Sequence, residues 1–388
     1  MKRAERWLLP DGIEEILPPE AFRIEQLRRH LLDLLDSWGY DLVMPPALEY
    51  LDSLLTGTGK NLDLRTFKVT DQLSGRMMGL SADTTPQVAR IDAHSLAPEG
   101  ISRLCYCRTV FHAKARSLLA SRTPTQIGAE LYGDSSSCAE VEIISLMLST
   151  LQASEIGALT LDLGHVGVFK ILSQEAGLTS NQLDELLELL KLKSTQDIAL
   201  WAEREINETY LQQAFIELAK LQGNTLQVQA GLNKLVELVP AISSARDTLL
   251  DTIKRIQSRF PNTQISLDLT ELRGLNYHTG VVFAAYVPGF GDAVAKGGRY
   301  DENGAVFGRA RPAIGFSADL KVLARFGAFK PTQKPQVIAP NDDDPSLWAQ
   351  INELRAQGYR VQTDCEQQPS TVAGYLKNIN GQWQLVKA

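Results

Sequence analysis

Residues 268–301 read DLTELRGLNYHTGVVFAAYVPGFGDAVAKGGRYD, and this stretch decides the fold. An Arg-Gly-Leu turn leads to Tyr277 and His278, an apolar run follows, and the motif Lys-Gly-Gly-Arg-Tyr-Asp closes the stretch. Apolar residues that alternate between glycines are typical of strands, and glycine lets the backbone approach a ligand closely. The stretch therefore predicts a sheet floor from which side chains point into a pocket.

The two ends of this stretch resemble the signature segments of histidyl-tRNA synthetases, which read R-G-L-D-Y-Y-T-G and A-x-G-G-R-Y-D. In that family both segments line the histidine pocket. The resemblance implies an α+β fold of the class II aminoacyl-tRNA synthetase type. We therefore expect an antiparallel sheet flanked by helices, with a helical insertion and a small C-terminal α/β piece.

The chain on either side of the stretch fits this architecture. Apolar residues at helical spacing predict a helix over 20–38, and residues 166–260 are almost wholly helical in pattern, where the family carries its insertion. A proline-bearing linker follows at 329–335. We expect a synthetase-like core over 1–330 and a small α/β segment over 331–388.

Two segments carry more specific expectations. Residues 314–326 predict a helix that closes the core. Over residues 20–46 a helix is followed by a strand and two prolines, as in the first motif of class II synthetases, which forms a dimer interface in that family. An ordinary helix-to-strand connection would explain this segment equally well if it stood alone.

Composition argues against several classes of protein. The net charge of -7, from 39 basic and 46 acidic residues, works against a general polyanion binder. No apolar run approaches the ~18–20 residues that a membrane helix needs, and the first residues carry no signal-peptide core. We therefore expect a cytoplasmic protein that does not bind membranes.

The four cysteines do not predict a metal site. Cys105 and Cys107 form the close pair, and C-x-C suits alternating faces of a strand better than a zinc knuckle. Cys138 and Cys365 stand alone, and the five histidines supply no second pair nearby. We expect buried free thiols, no metal and no cofactor.

Two other segments add residues to the predicted pocket. Asp83 and Thr85 stand where the family has Glu-Gly-Thr, and a carboxylate beside a hydroxyl suits an ammonium group. Gln126 and Glu130, in TQIGAELYG, resemble the family's H-Q-x-G-x-E-x-x-G, and even spacing puts both on one face of a strand. Read alone, Asp83 would be a helix cap or surface acid, and Gln126 and Glu130 surface residues of a helix.

Arg273, Tyr277 and His278 complete the predicted histidine-binding set. Tyr277 would supply a hydroxyl, and Arg273 a planar fork for the ligand carboxylate. His278 replaces the family's second tyrosine, so it either supports binding or makes affinity depend on pH near its unperturbed pKa of about 6.5. Asn276 replaces the family's aspartate, and Asp83 is one carbon shorter than the usual glutamate.

The first arginine that class II synthetases direct at ATP is missing. Their motif 2 reads F-R-x-E, whereas this chain has F-H-A-K, so His112 stands in place of the arginine. Arg116 and Arg122 lie in the following loop and could swing towards ATP. Neither would restore the second arginine.

That second arginine belongs to motif 3, which reads G-x-E-R in the family. Aligned on Gly315 and Leu323, Lys321 replaces the acid and Val322 the arginine. Loss of one such contact lowers a rate by about 10²–10³, because charge that develops in the transition state is no longer neutralised. Loss of both predicts negligible adenylate formation.

The C-terminal segment also departs from the synthetases. Their anticodon-reading domain is commonly ~100 residues long, whereas this chain has fewer residues after Pro331 and begins them with an acidic run at 342–344. Acidic residues repel phosphates, so we expect no tRNA partner.

A histidine pocket without the ATP arginines resembles the synthetase-like regulatory subunits of ATP phosphoribosyltransferase. The resemblance implies a non-catalytic subunit that acts in the first step of histidine biosynthesis. Such a subunit is needed by a short catalytic subunit, confers feedback inhibition by histidine, and self-associates as a dimer within a hetero-octamer.

Three other functions stay open at this point. An active histidine-tRNA ligase with a divergent ATP site would catalyse histidine-dependent pyrophosphate exchange. A synthetase-like ligase acting on a protein or small molecule would also need ATP. A scaffold that had lost its ligand would bind no histidine.

Overall fold

The computed structural model describes residues 7–56, 60–115, 120–272, 274–275, 277–302, 304–364 and 372–388. Contacts divide the chain into two compact units, Met1–Phe329 and Lys330–Ala388. The sequence predictions for Arg116, Arg273, Asn276 and Cys365 lie outside the described residues.

Short helices and strands alternate in the first part of the larger unit. In chain order these elements are α1 (Glu20–Ser37), β1 (Asp41–Leu42), β2 (Leu48–Tyr50), α2 (Leu51–Leu55), α3 (Lys60–Arg65), β3 (Phe67–Thr70), β4 (Met77–Leu80), α4 (Thr85–Arg90), a π-helix (Ile91–Leu96), β5 (Ser102–Thr109), β6 (Thr125–Tyr132), α5 (Ser137–Ala153) and β7 (Thr160–His165).

A helical segment follows and then the chain returns to strands. The helical segment holds α6 (Val166–Glu175), α7 (Ser180–Leu192), α8 (Thr195–Glu205), α9 (Thr209–Leu218), β8 (Gln222–Asn224), α10 (Thr225–Leu238), a 3-10 turn (Pro240–Ile242) and α11 (Ser243–Arg259). The returning elements are β9 (Gln264–Asp268), β10 (Val281–Tyr286), β11 (Ala295–Arg299), a 3-10 turn (Ala305–Phe307), β12 (Ala313–Asp319) and α12 (Leu320–Phe326).

A nine-stranded sheet runs through the larger unit in the order β1-β5-β6-β12-β11-β10-β7-β9-β8. Neighbouring strands from β5 through β7 pair antiparallel, whereas the β1–β5 and β7–β9 pairs are parallel. A separate three-stranded sheet has the order β2-β4-β3. The predicted class II synthetase-like sheet flanked by helices is confirmed.

Helices bury one face of the large sheet. On α1, Leu27, Leu31 and Leu35 recur every fourth residue and are buried, because this spacing places them on one helical face. They share a core cluster with residues of α5 and with alternate residues of β6, such as Ile127 and Ala129. The other residues of β6 therefore face the opposite side of the sheet, which is left for the functional site.

Two expectations about local structure are wrong. The helix predicted over 314–326 begins at Leu320, because Ala313–Asp319 is a strand between β6 and β11. Its residues are mostly buried, and a short apolar run of this kind looks the same in a strand and in a buried helix. Cys105 and Cys107 lie on the same face of β5, since residues two apart in a strand share a face.

The expectation of buried thiols holds only in part. Cys105 is buried and Cys107 half-buried, but Cys138 at the start of α5 is exposed. Desolvation raises the pKa of both Cys105 and Cys107 to about 12, so these two thiols stay protonated at neutral pH.

The smaller unit has a sheet and a core of its own. Its elements are β13 (Gln336–Ala339), α13 (Pro345–Ala356), β14 (Arg360–Thr363), β15 (Gly374–Ile379) and β16 (Gln382–Lys387), with the strand order β14-β13-β15-β16. Val337, Leu347 and Leu376 are in the core. Asp344 of the acidic run caps α13, since its carboxylate accepts hydrogen bonds from the Ser346 amide and from Trp383 Nε1.

Among the helices of the described residues, none is long and apolar enough to span a membrane.

Truncation of Leu31 tests the packing of α1. We expect Leu31→Ala to lower the free energy of unfolding by about 2–5 kcal/mol, because it deletes buried methyl groups and leaves a cavity. The matched variant Leu192→Ala removes a side chain that is 74% exposed and should change stability by less than about 0.5 kcal/mol. Urea unfolding measures both, and equal effects would contradict the assigned packing.

Candidate functional site

A cavity of about 270 Å³ lies on the face of the large sheet opposite the helical core. One register row forms its floor: Glu130 pairs with Gly315, Gly315 with Gly298, Gly298 with Val282, and Val282 with Gly164. Directly paired residues point to the same side of a sheet. Three of the five are glycines, so the floor of the cavity is bare backbone.

The carboxyl group of Glu130 occupies space that the absence of a side chain at Gly315 leaves open. A Cβ added to Gly315 would lie 1.5 Å from Glu130 Oε2, so any other residue at this position would displace the carboxyl group. Gly128 leaves room for the ring of Tyr106 on the paired strand. A Cβ at Gly128 would lie 2.6 Å from the Tyr106 hydroxyl oxygen. The glycines of the sheet therefore make room for the polar side chains of the cavity.

The predicted ammonium-binding residues come together at the start of α4. Asp83 Oδ1 accepts hydrogen bonds from the Thr85 amide at 3.3 Å and from Gln126 Nε2 at 3.0 Å. Gln126 Oε1 in turn accepts from the Thr84 amide at 2.9 Å. Asp83 and Thr85 line the cavity, and Gln126 fixes the orientation of Asp83.

Glu130 is a buried carboxyl group held by two tyrosines. Tyr106 donates to Glu130 Oε1 at 3.0 Å, and Tyr300 donates to Oε2. Glu130 is 1% exposed, and burial is the main reason that its pKa rises to about 8, while the charge of Asp83 raises it further. The neutral form is therefore favoured near neutral pH, and a donor or cation in the cavity would favour the charged form.

Tyr106 is a site residue that the sequence predictions missed. Its hydroxyl lies 3.2 Å from Thr85 Oγ1 and 3.0 Å from Glu130 Oε1, so it links the residues at the start of α4 to the buried carboxyl group. It sits on β5 between Cys105 and Cys107, where the apolar surroundings suggest only a strand core. The one signal for it is Gly128 on the paired strand, since glycine opposite a tyrosine leaves room for a ring.

Tyr277 and His278 both line the cavity. The Tyr277 ring stacks on Tyr300 at 5.1 Å between centroids, and His278 meets Tyr277 edge-on at 5.1 Å. The His278 ring stands over Gly298, where an added Cβ would lie 2.7 Å from Nδ1. Burial is the main cause that lowers the pKa of His278 to about 4, so titration near pH 6.5 is not expected from this residue.

The helical segment holds the loop that carries these two rings. Asp268 Oδ1 accepts from the Thr270 amide and hydroxyl and from the Glu271 amide, which shapes the start of the loop. Lys193, directly after α7, donates to Asp268 Oδ2 at 2.8 Å. Lys170 of α6 donates to the His278 carbonyl at 2.8 Å, so both ends of the loop are tied to helices.

The positions that correspond to the ATP arginines are engaged in other contacts. His112 is 3% exposed, and its Nε2 lies 2.6 Å from Arg65 Nη2 and 3.0 Å from the Ala82 carbonyl. Val322 packs against the core cluster of the larger unit. Lys321 donates to Glu14 at 3.1 Å.

Arg122 is fixed in place by other parts of the chain. Its Nε donates to the His112 carbonyl at 3.0 Å, and its Nη1 to the Asp11 carbonyl at 3.1 Å. The guanidinium also lies over the Phe67 ring, 5.0 Å from its centroid. Movement towards a nucleotide would break all three contacts.

In the described part of the chain, no group of three or more His, Cys, Asp or Glu side chains is placed to hold a metal ion. The carboxyl groups of the cavity instead hydrogen-bond to tyrosines, amides and lysine.

Two family models match the chain. The model described as histidyl-tRNA synthetase matches residues 12–323, and the model described as ATP phosphoribosyltransferase subunit HisZ C-terminal domain matches residues 334–386. The first model alone covers most of the chain.

Curated relatives are similar over the whole length. An ATP phosphoribosyltransferase regulatory subunit from Ectopseudomonas mendocina is 48% identical over 393 residues, which is 99% of this chain and 99% of the relative. A protein of the same name from Stutzerimonas stutzeri is 50% identical over 363 residues, 93% of this chain and 91% of the relative.

Solved structures share the fold. A regulatory subunit/histidyl-tRNA synthetase from Bacillus halodurans superposes with a TM-score of 0.80 at 24% identity, covering 96% of both chains. A chain of an ATP phosphoribosyl transferase (HisG:HisZ) complex from Thermotoga maritima gives a TM-score of 0.59 at 18% identity, over 79% of this chain and 98% of that one.

Glu130→Gln tests the buried carboxyl group. Because the folded pKa of Glu130 is raised from 4.5 to about 8, its contribution to stability is fully present below about pH 4.5 and is lost as pH rises through about 8. Glutamine does not titrate. We therefore expect the variant to gain stability relative to wild type, by more than about 1 kcal/mol, between about pH 5 and about pH 8.5.

Urea unfolding of wild type and Glu130→Gln across this pH range measures the difference. A difference that stays constant with pH would contradict the raised pKa of Glu130.

Proposed function

We infer the function from one premise: this chain belongs to the family of ATP phosphoribosyltransferase regulatory subunits. We propose that it is the non-catalytic, histidine-sensing subunit of that enzyme. In this role it acts in the cytoplasm, in the first step of histidine biosynthesis. A short catalytic subunit requires it for activity.

The observation that carries this proposal is a pocket of amino-acid size with its polar groups in place. Asp83 and Thr85 offer a carboxylate and a hydroxyl to an ammonium group, and Gln126 orients Asp83. Glu130, between Tyr106 and Tyr300, offers a buried carboxyl group to a ring nitrogen. Histidine presents both of these groups.

Glu130 supplies selectivity for imidazole. Its carboxyl group is buried and already accepts hydrogen bonds from Tyr106 and Tyr300, so a further donor from the ligand favours its charged form. An imidazole N–H supplies such a donor, and an imidazolium, which carries a positive charge, would favour the charged carboxylate further.

The contacts of the residues at the positions of the two ATP-directed arginines support a non-catalytic role. Amino-acid activation needs cations that neutralise the reacting phosphate. His112 contacts Arg65 and a backbone carbonyl, Val322 packs against the core, and Arg122 is held by three contacts. This arrangement supports ligand sensing over adenylate formation.

Feedback inhibition follows if histidine binds one state of the complex better than another. A coupling free energy of about 1–3 kcal/mol is enough for useful inhibition. The element that we propose to differ between the states is the loop of Tyr277 and His278, because Lys170 and Lys193 connect it to the helical segment.

The proposed assembly is a dimer of this chain within a hetero-octamer, without tRNA. The name of the Thermotoga maritima neighbour describes a complex of two kinds of subunit, which supports a catalytic partner. Residues 334–386 match a C-terminal domain of the regulatory subunits, which supports a partner other than tRNA.

Isothermal titration tests the histidine pocket. We expect wild type to bind histidine, and Asp83→Ala and Glu130→Ala each to weaken binding at least about tenfold, since each removes a charge-assisted or buried hydrogen bond. Asp343→Ala removes an exposed carboxylate of the smaller unit and should leave the affinity unchanged. Unchanged affinity in both pocket variants would refute the pocket assignment.

Reconstitution tests the regulatory role. A short catalytic subunit of ATP phosphoribosyltransferase that is inactive alone should become active when this chain is added, and the mixture should be inhibited by histidine. Addition of the Asp83→Ala variant should restore activity but shift inhibition to at least about tenfold higher histidine, because only effector binding is impaired. Activity that does not depend on this chain would contradict the proposal.

A further inference from the structure

A second cavity, of about 450 Å³, lies on the helix-covered face of the large sheet. It is bordered by Trp38 and Gly39 after α1, Arg103 on β5, Cys138 and Glu142 on α5, and Arg255 and Arg259 on α11. Arg103 pairs with Leu131, which is in the helix-covered core, whereas Glu130 faces the opposite side. This cavity, called the arginine pocket below, shares no described lining residue with the cavity of Glu130.

The carboxylate in the arginine pocket is already engaged. Glu142 is the one acidic residue in the described part of the lining. It accepts hydrogen bonds from Arg103 Nε at 2.7 Å and Nη2 at 2.9 Å, and from the Tyr40 hydroxyl at 2.8 Å. The charge of Glu142 is therefore balanced by Arg103, and none of it is directed at the two arginines of α11.

Those two arginines keep most of their N–H donors. Arg259 Nη1 donates to Ser145 Oγ at 2.9 Å, and within the described ranges no carboxylate pairs with this arginine. Arg255 contacts Asp251 Oδ2 at 3.5 Å, which is long for a hydrogen bond, and Cys138 Sγ, a weak acceptor, at 3.7 Å. A guanidinium group has several donors, so the pocket holds more donors than acceptors.

The positions of these arginines also bring like charges together. Arg255 and Arg259 are four residues apart on α11, so they are neighbours on one helical face, and Arg103 borders the same cavity from the sheet. The net charge of the whole chain is -7, so this accumulation of positive charge runs against the overall balance. A bound anion would relieve the repulsion between the guanidinium groups.

A phosphate monoester matches these features. It carries a charge of about -2 and three acceptor oxygens, and a guanidinium group binds phosphate through two parallel hydrogen bonds. The half-buried Trp38 adds an apolar ring and an N–H donor at the rim. The volume is within the roughly 300–1,000 Å³ typical of small-molecule sites, which leaves room for an organic part beside the phosphate.

We propose that the arginine pocket binds the phosphate group of a small phosphorylated metabolite, with Arg255 and Arg259 as the contacts. Arg103 stays on Glu142 and forms the wall of the site. This inference goes beyond the proposed function, and it does not depend on the histidine pocket.

Isothermal titration with three probes tests the proposal. The probes are ribose 5-phosphate, ribose, which lacks the phosphate, and ribonate, which carries a carboxylate instead, all at equal ionic strength. The proteins are wild type, Arg255→Gln, Arg259→Gln, Arg259→Lys and, as a control, Lys254→Gln. Lys254 is an exposed residue of the same helix outside the described lining, so its substitution removes one positive charge nearby.

We expect wild type to bind ribose 5-phosphate, to bind ribonate at least about tenfold more weakly, and not to bind ribose. Arg255→Gln and Arg259→Gln should each weaken ribose 5-phosphate at least about tenfold, because charge-assisted hydrogen bonds are lost. Arg259→Lys should give an intermediate affinity, since lysine keeps the charge without the planar fork. Lys254→Gln should change the affinity by less than about twofold.

Failure of wild type to bind ribose 5-phosphate would overturn the proposal. An equal loss in Lys254→Gln would do so too, because it would mean attraction by overall charge. Equal binding of ribonate would overturn the assignment to phosphate and favour an acidic segment of a protein. Urea unfolding shows whether each variant is folded. If the glutamine variants are not, Arg259→Lys decides: weaker binding than wild type supports the contact, and unchanged affinity contradicts it.

Discussion

The burial of one carboxyl group, Glu130, constrains the rest of the site. Moving a carboxyl group out of water is costly unless hydrogen bonds replace the water. The structure supplies these bonds from Tyr106 and Tyr300, and it leaves space for the group with a glycine, Gly315, on the next strand. A side chain at that glycine or the loss of a tyrosine would disturb the pocket without touching a ligand.

Two parts of the structure form the cavity: the central strands of the sheet and one loop. The floor of the cavity belongs to the central strands, where paired residues place Glu130 on the same face as a row of glycines. Its wall belongs to a loop whose shape depends on Asp268 and on two lysines from the helices, Lys170 and Lys193. Strands in the middle of a sheet hold their register, whereas a loop held by one ion pair and one hydrogen bond to a backbone carbonyl opens at a lower cost in free energy. We propose that this difference allows one pocket both to bind an amino acid and to signal its presence.

Much of this arrangement could be predicted from the sequence, because motifs that bind a ligand keep short spacings. Glu130 is four residues from Gln126, and this even number is enough to place both on one face of a strand. The contact between Tyr106 and Glu130 joins residues on separate strands, and nothing near Tyr106 in the sequence shows it.

Other features depended on burial, which a sequence does not show. Burial is the main reason that the pKa of His278 is lowered to about 4, and Ala313–Asp319 is a strand because β6 and β11 flank it. The same holds for the acidic run, which serves in part to cap α13 through Asp344.

The central claim is that an amino-acid pocket persists here without the means to activate the amino acid. Histidine-dependent exchange of pyrophosphate into ATP, measured on this chain alone with saturating histidine, magnesium and ATP, tests it most directly. The account predicts no exchange above the background seen without histidine, because the arginine positions of both motifs are occupied by His112 and Val322. Exchange that depends on histidine would contradict it and would identify the chain as an active ligase.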